Sequence, residues 1–190
     1  MRLAGYRIHD LGLGSPGDAY TYAMASNGLF LEADNGLIRA RVLLATADVR
    51  GLAPLAPVLE LNHGLIPPCL LAQAIAVMPA GVEGYAAIAW DGSTYRLVVP
   101  PQEAGEAHVT YEIVPGTVVG IHGHGKMDAF FSYQDDQDDQ GFQVSIVVGR
   151  LDRLLQEARA RLSVYGYFAP VRLSQLFPGE FVGLEERDIY

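Results

Sequence analysis

Two Asn-Gly pairs limit what this chain can fold into more than any other feature. Asn27-Gly28 and Asn35-Gly36 divide the stretch from Tyr20 to Asp48 into YTYAMAS, LFLEA and LIRARVLLAT, three short runs of alternating apolar residues. Asparagine followed by glycine accepts the left-handed backbone of a tight hairpin, so such runs on either side of the pair predict antiparallel neighbours. The N-terminal part is therefore expected to be a small β-meander. GLAPLAPVLELNHGLIPP follows, and its prolines argue against regular structure, which makes it a connector.

Helical character is concentrated in one place. Pro67-Pro68 stands where a helix start tolerates proline, CLLAQAIAVM behind it is rich in alanine and leucine, and Pro79 stops it, so a helix is expected over 68–78. VEGYAAIAW, STYRLVV, HVTYEIV, TVVGIHGHG and FQVSIVVG then read as strands, with ARLSVYGYFAPVRL as one further alternating strand. Lys126 to Gly141 is polar and acidic and is expected to be a loop or a short helix. This order predicts an α+β protein with a β-rich subdomain and connector over 1–62 and a second domain over 63–190.

Composition removes several function classes. Half of the 190 residues are hydrophobic and 18% are charged, as in a globular protein. The longest apolar run, Cys69 to Met78, is about half of the roughly 20 residues of a membrane-spanning helix. MRLAGYRIHDLGLG lacks the continuous apolar stretch of a signal peptide, so a cytoplasmic protein without a membrane partner is expected. A formal net charge of -9, with no basic cluster to offset it, disfavours nucleic acid. Cys69 is the only cysteine, so no intrachain disulfide can form and any metal must be held by histidine and carboxylate.

Such a set lies in VVGIHGHGKMDAFFSYQDDQDD, from Val118 to Asp139. His122 and His124 close an apolar strand, where residues i and i+2 project from one face, so both imidazoles can reach one ion. Gly120, Gly123 and Gly125 are expected to leave space for a substrate. Catalytic zinc takes three protein ligands and keeps one open position. Asp135 is the best third donor, with Asp136 as the alternative. If SYQD forms one helical turn, Ser132 shares a face with Asp135 and can donate toward a developing oxyanion. Asp136, Asp138 and Asp139 otherwise read as a solvated acidic face, and Asp128 as an exposed loop acid. His9, His63 and His108 have no partner pattern and read as structural or surface residues. Phe130, Phe131 and the Tyr165–Phe168 cluster read as core, with one aromatic lining the substrate groove as the alternative.

His-x-His, seven residues, Ser, two residues, Asp is the spacing of the JAMM (JAB/MPN/Mov34) metalloprotease motif, and VVGIHGHG resembles that family's Val-Val-Gly-x-His-Ser-His-Pro run. The resemblance implies a JAB/MPN-like mixed β-sheet with flanking helices around a cytidine-deaminase-like core. It implies a single Zn2+ held by His122, His124 and Asp135, with Ser132 stabilising the transition state. The family also places a general-base glutamate at the start of a strand after a helix, typically as Glu-x-x-Gly-Leu-Leu. Glu83 matches that context, with Ala86 at the glycine position; Glu60 and Glu112 are the rival bases and fit it less well. Gly123 and Gly125 depart from the usual Ser or Thr and Pro, which puts substrate handling in doubt while leaving the ligands intact. The short spacing from Glu83 to His122 implies that large substrate-gripping loops are absent.

A narrower resemblance, carried by NGLFLEA, VRGLAPL, HGHGKMDAFFSYQDDQDD, FQVSIVVGRLDR and VYGYFAPV, is to the JAB-domain protein A group of the bacterial ParB-related, ThiF-related cassette. Those cassettes carry a ThiF-like activating enzyme and a ubiquitin-like protein. The resemblance thus implies hydrolysis of an isopeptide or peptide bond at the C-terminus of a ubiquitin-like protein, for deconjugation or processing. Two other readings stay open: a non-catalytic MPN-type scaffold or assembly subunit, able to form a homodimer, and a zinc amidohydrolase acting on carrier-protein thiocarboxylates. A nucleobase deaminase is disfavoured, because His-x-Glu with Pro-Cys-x-x-Cys is missing.

Overall fold

A computed structural model describes residues 2–105 and 109–189, so His108 lies outside the described residues. The chain divides into two compact units, 1–64 and 65–190, two residues beyond the expected boundary. The described residues form a mixed α+β protein, mostly sheet, with two α-helices. None of their helices is long and apolar enough to cross a membrane.

The first unit is a six-stranded sheet of β1 (Ala4–Ile8), β2 (Leu13–Ser15), β3 (Tyr20–Ala25), β4 (Gly28–Asp34), β5 (Ile38–Thr46) and β6 (Val58–Leu61). Its spatial order is β2-β1-β3-β4-β5-β6, and only β1 and β3 run parallel. The expected meander is β3 to β5, but its first turn sits one residue early. Ala25 pairs with Gly28, so Ser26 and Asn27 make the turn. Asn27 is used for something else: its amide donates to Leu55 O (2.8 Å) and accepts from Leu55 N–H (2.9 Å), which ties the connector to the hairpin. At the second turn Asn35 Oδ1 accepts from Leu37 N–H (3.0 Å) and Ile38 N–H (2.8 Å). The connector itself holds β6. It is an edge strand that bonds on one side alone, which is where proline-flanked segments still pair.

The second unit begins with α1 (Pro68–Val77), which places Pro68 in its first turn and buries Leu71 and Ala74. There follow β7 (Gly84–Trp90), β8 (Tyr95–Val98), β9 (Gln102–Ala104), β10 (Val109–Tyr111), β11 (Thr117–Gly123), α2 (Tyr133–Asp138) and β12 (Phe142–Gly149). The chain closes with β13 (Gln156–Val164), β14 (Tyr167–Val171) and β15 (Leu184–Glu186). The main sheet has the order β14-β13-β12-β11-β7-β8, with β15 beside β13; β9 and β10 form a separate hairpin. β7, β11 and β12 are nearly continuous apolar runs and are buried almost throughout, which suits central strands. ARLSVYGYFAPVRL is two strands rather than one. Tyr165 and Gly166 both take positive φ (50° and 87°) and make the two-residue turn between β13 and β14.

β11 and β12 run parallel, and the segment between them carries α2. The carboxyl end of β11 and the start of α2 therefore belong to one crossover, the usual location of sites in sheets with parallel pairs.

Candidate metal centre

His122 is the penultimate residue of β11, flanked in register by Tyr85 on β7 and Val147 on β12. His124 lies just past the strand end and donates its backbone N–H to Val148 O (2.8 Å). Both imidazoles are buried. Burial pushes both ring pKa values down, against the opposing charge of Asp135, so that neutral rings with free lone pairs are favoured at neutral pH.

Asp135 reaches the site through helix capping. Ser132 is the N-cap of α2 and Asp135 its third residue. Ser132 N–H (2.6 Å) and Oγ–H (2.7 Å) both donate to Asp135 Oδ2, and Asp135 N–H donates back to Ser132 Oγ (3.1 Å). This reciprocal capping box replaces the shared helical face expected from the spacing. It occupies Oδ2 and leaves Oδ1 3.8 Å from His122 Nδ1.

That separation is too long for a hydrogen bond. It is close to the roughly 3.4 Å between two donors at zinc-ligand distances in a tetrahedron. His124 Nδ1 is buried with no hydrogen-bond partner among the described residues, a costly state for a polar atom unless something else binds it. Among the described residues no three His, Cys, Asp or Glu side chains already stand in coordinating geometry. The donor types, the orphaned imidazole nitrogen and the outward Oδ1 nonetheless fit a zinc ion, and His122, His124 and Asp135 are the residues that would hold it.

A cleft of about 590 Å³ opens beside these groups, lined by Glu83, Tyr111, His122, Ser132, Asp135 and Asp138 among others. Glu83 directly precedes β7, six residues after the last residue of α1. Glu60 is on β6 of the first unit, ion-paired with Arg39, and Glu112 is exposed just after β10.

The glycines do not leave open space. A Cβ at Gly120 would meet the Tyr85 ring at 3.1–3.6 Å, and one at Gly123 would meet Met78 Sδ at 2.7 Å and Leu151 Cδ1 at 3.1 Å. Neighbouring side chains fill the volume the missing Cβ atoms vacate. Tyr85 consequently lies over Gly120, stacked on Tyr111 with ring centroids 3.5 Å apart. Burial pushes the Tyr85 hydroxyl up to about 12 and raises that of Tyr111 as well.

The acidic run is only partly solvated. Asp139 is 4% exposed and accepts from Arg161 Nη2 (2.8 Å) and Nε (3.1 Å), while Asp136 accepts from Arg161 Nη1. The Arg161 guanidinium lies between the Phe131 and Phe168 rings, 3.9 and 4.0 Å from their centroids. These phenylalanines are therefore walls around a buried cation rather than core, and Phe130, 42% exposed, packs edge-on to His124 at 4.8 Å. Asp136 thus spends its carboxylate on Arg161, whereas Asp138 is exposed and Asp128 is exposed and paired with Arg150 (2.7 Å). His9 is half-buried against Arg7 and Asp10, and His63 is exposed.

Arg161 holds the α2 crossover to β13. Arg161→Met strands the buried Asp139 carboxylate and is expected to cost about 3–5 kcal/mol in chemical denaturation. A cost below about 1 kcal/mol would place the pair with ordinary surface ion pairs.

No protein-family model matches the chain, and no curated protein is significantly similar to it.

Proposed function

We propose that residues 65–190 are a JAB/MPN-like zinc hydrolase domain of JAMM type, with a cytidine-deaminase-like core, that cleaves an isopeptide or peptide bond at the C-terminus of a ubiquitin-like protein. The observation that carries this reading is the pairing of His122 Nδ1 with the one uncapped oxygen of Asp135 at the wall of a cleft that also holds Glu83 and Ser132. A ThiF-like activating enzyme is the companion this function calls for.

When bound, zinc supplies Lewis acidity at the scissile carbonyl and lowers the pKa of water from about 15.7 to about 7. Glu83 takes the proton of the attacking water and returns it to the leaving amine. Ser132 has one hydroxyl hydrogen, which here serves Asp135. It can turn toward a developing oxyanion because Asp135 Oδ2 retains the Ser132 backbone N–H. A donor so placed contributes about 3–4 kcal/mol. Val109 to Tyr111 line the cleft, and β10 pairs with β9 alone among the described strands, so an extended C-terminal tail can add to its other edge.

The test is cleavage of a ubiquitin-like protein carrying a fluorogenic amide at its C-terminus. Cleavage that a chelator abolishes and zinc restores is expected. Turnover of small amides or thiocarboxylates with every ubiquitin-like substrate intact would shift the function to the amidohydrolase reading.

A further inference from the structure

Tyr111 comes from the β9–β10 hairpin, outside the main sheet, yet its hydroxyl lies 3.5 Å from His122 Nε2. Tyr85 and Tyr111 stack almost parallel, 4° apart, and both meet the His122 ring edge-on, at centroid distances of 5.0 and 5.7 Å. The imidazole is thus held between a phenol at Nε2 and the Asp135 carboxylate at Nδ1.

The neutral ring carries one proton, and the position of that proton decides which nitrogen can bind a metal. On Nδ1 it would face Asp135 Oδ1, which at 3.8 Å is beyond hydrogen-bond range, and no other acceptor stands beside it among the described residues. On Nε2 it meets the Tyr111 oxygen, 3.5 Å away, whose own hydrogen can turn away from the imidazole toward the stacked Tyr85. The Nδ1 lone pair then faces a carboxylate oxygen, an arrangement that is repulsive until a cation lies between them.

Resting on the metal reading above, we infer that Tyr111 is a positioning residue for His122: its phenolic oxygen accepts the Nε2 proton and so presents the Nδ1 lone pair to the ion. Such outer partners of metal-binding histidines fix the tautomer and ring orientation, and their loss costs about 10- to 100-fold in metal affinity.

Two measurements test this on the full chain. Long-range proton–nitrogen correlation spectra of the zinc-loaded wild type are expected to show His122 protonated at Nε2; a proton at Nδ1 would overturn the inference. Zinc affinity, by competition with a chromophoric chelator, is expected to fall about 10- to 100-fold in Tyr111→Phe, which keeps the stacked ring. Zinc uptake by the wild type with equal affinity in Tyr111→Phe would sink the role of Tyr111 alone, whereas no uptake by the wild type would sink the metal reading and this inference with it.

Discussion

Glu83→Gln is expected to bind zinc as the wild type does and to lose about 10²- to 10⁴-fold in kcat, the usual contribution of a positioned general base. Glutamine keeps the length and shape of the side chain while removing its proton affinity. The capped carboxylate comes from α2 and the two imidazoles from β11 and the residue just past it, whereas Glu83 directly precedes β7, so the substitution leaves the donor set intact. A variant that retains zinc and turns over at the wild-type rate would assign the proton to another group. Asp138, exposed in the same cleft, would then be the next residue to substitute.

Asp135→Ala is expected to weaken zinc binding by about a hundredfold or more, while Asp136→Ala leaves it unchanged. Binding of a structural zinc amounts to roughly 10–16 kcal/mol over four ligands, so a single ligand carries about 3 kcal/mol. The two neighbouring aspartates differ in direction. Asp135 has one oxygen taken by the cap and the other facing His122, while Asp136 is committed to Arg161. Asp136→Ala still leaves Arg161 its partner Asp139, so a modest loss of stability with full zinc affinity is the expected pattern. Equal losses of zinc in both variants would mean that the α2 turn, rather than the Asp135 carboxylate, holds the ion.

How much of this was legible beforehand depended on how local the determining contacts are. The capping relation of Ser132 to Asp135 spans three residues, and His122 and His124 are two apart on one strand, so spacing alone points to them. The α1 helix follows likewise from Pro68 and Pro79 at its ends. β6 was hidden because the prolines around it describe the segment's flanks rather than Val58–Leu61 itself. The β13–β14 turn was hidden because Tyr165-Gly166 is a weaker turn signal than Asn-Gly, and the alternation runs on through it. Arg161 and Asp139 are 22 residues apart, and Tyr111 and His122 meet only through the placement of a separate hairpin. Pairings of that kind carry no local pattern. The glycines of β11 misled for a related reason: a missing Cβ marks available volume, but tertiary packing decides whether substrate or Met78 and Tyr85 take it.

The zinc ion proposed at the end of β11 is tested by metal content, measured by elemental mass spectrometry on wild-type protein and His122→Ala after zinc supplementation and exhaustive dialysis. About one zinc per wild-type chain, lost in the variant, is the expected result. A wild-type protein that retains no zinc at any level of supplementation would contradict the account and leave a non-catalytic scaffold as the better description of residues 65–190.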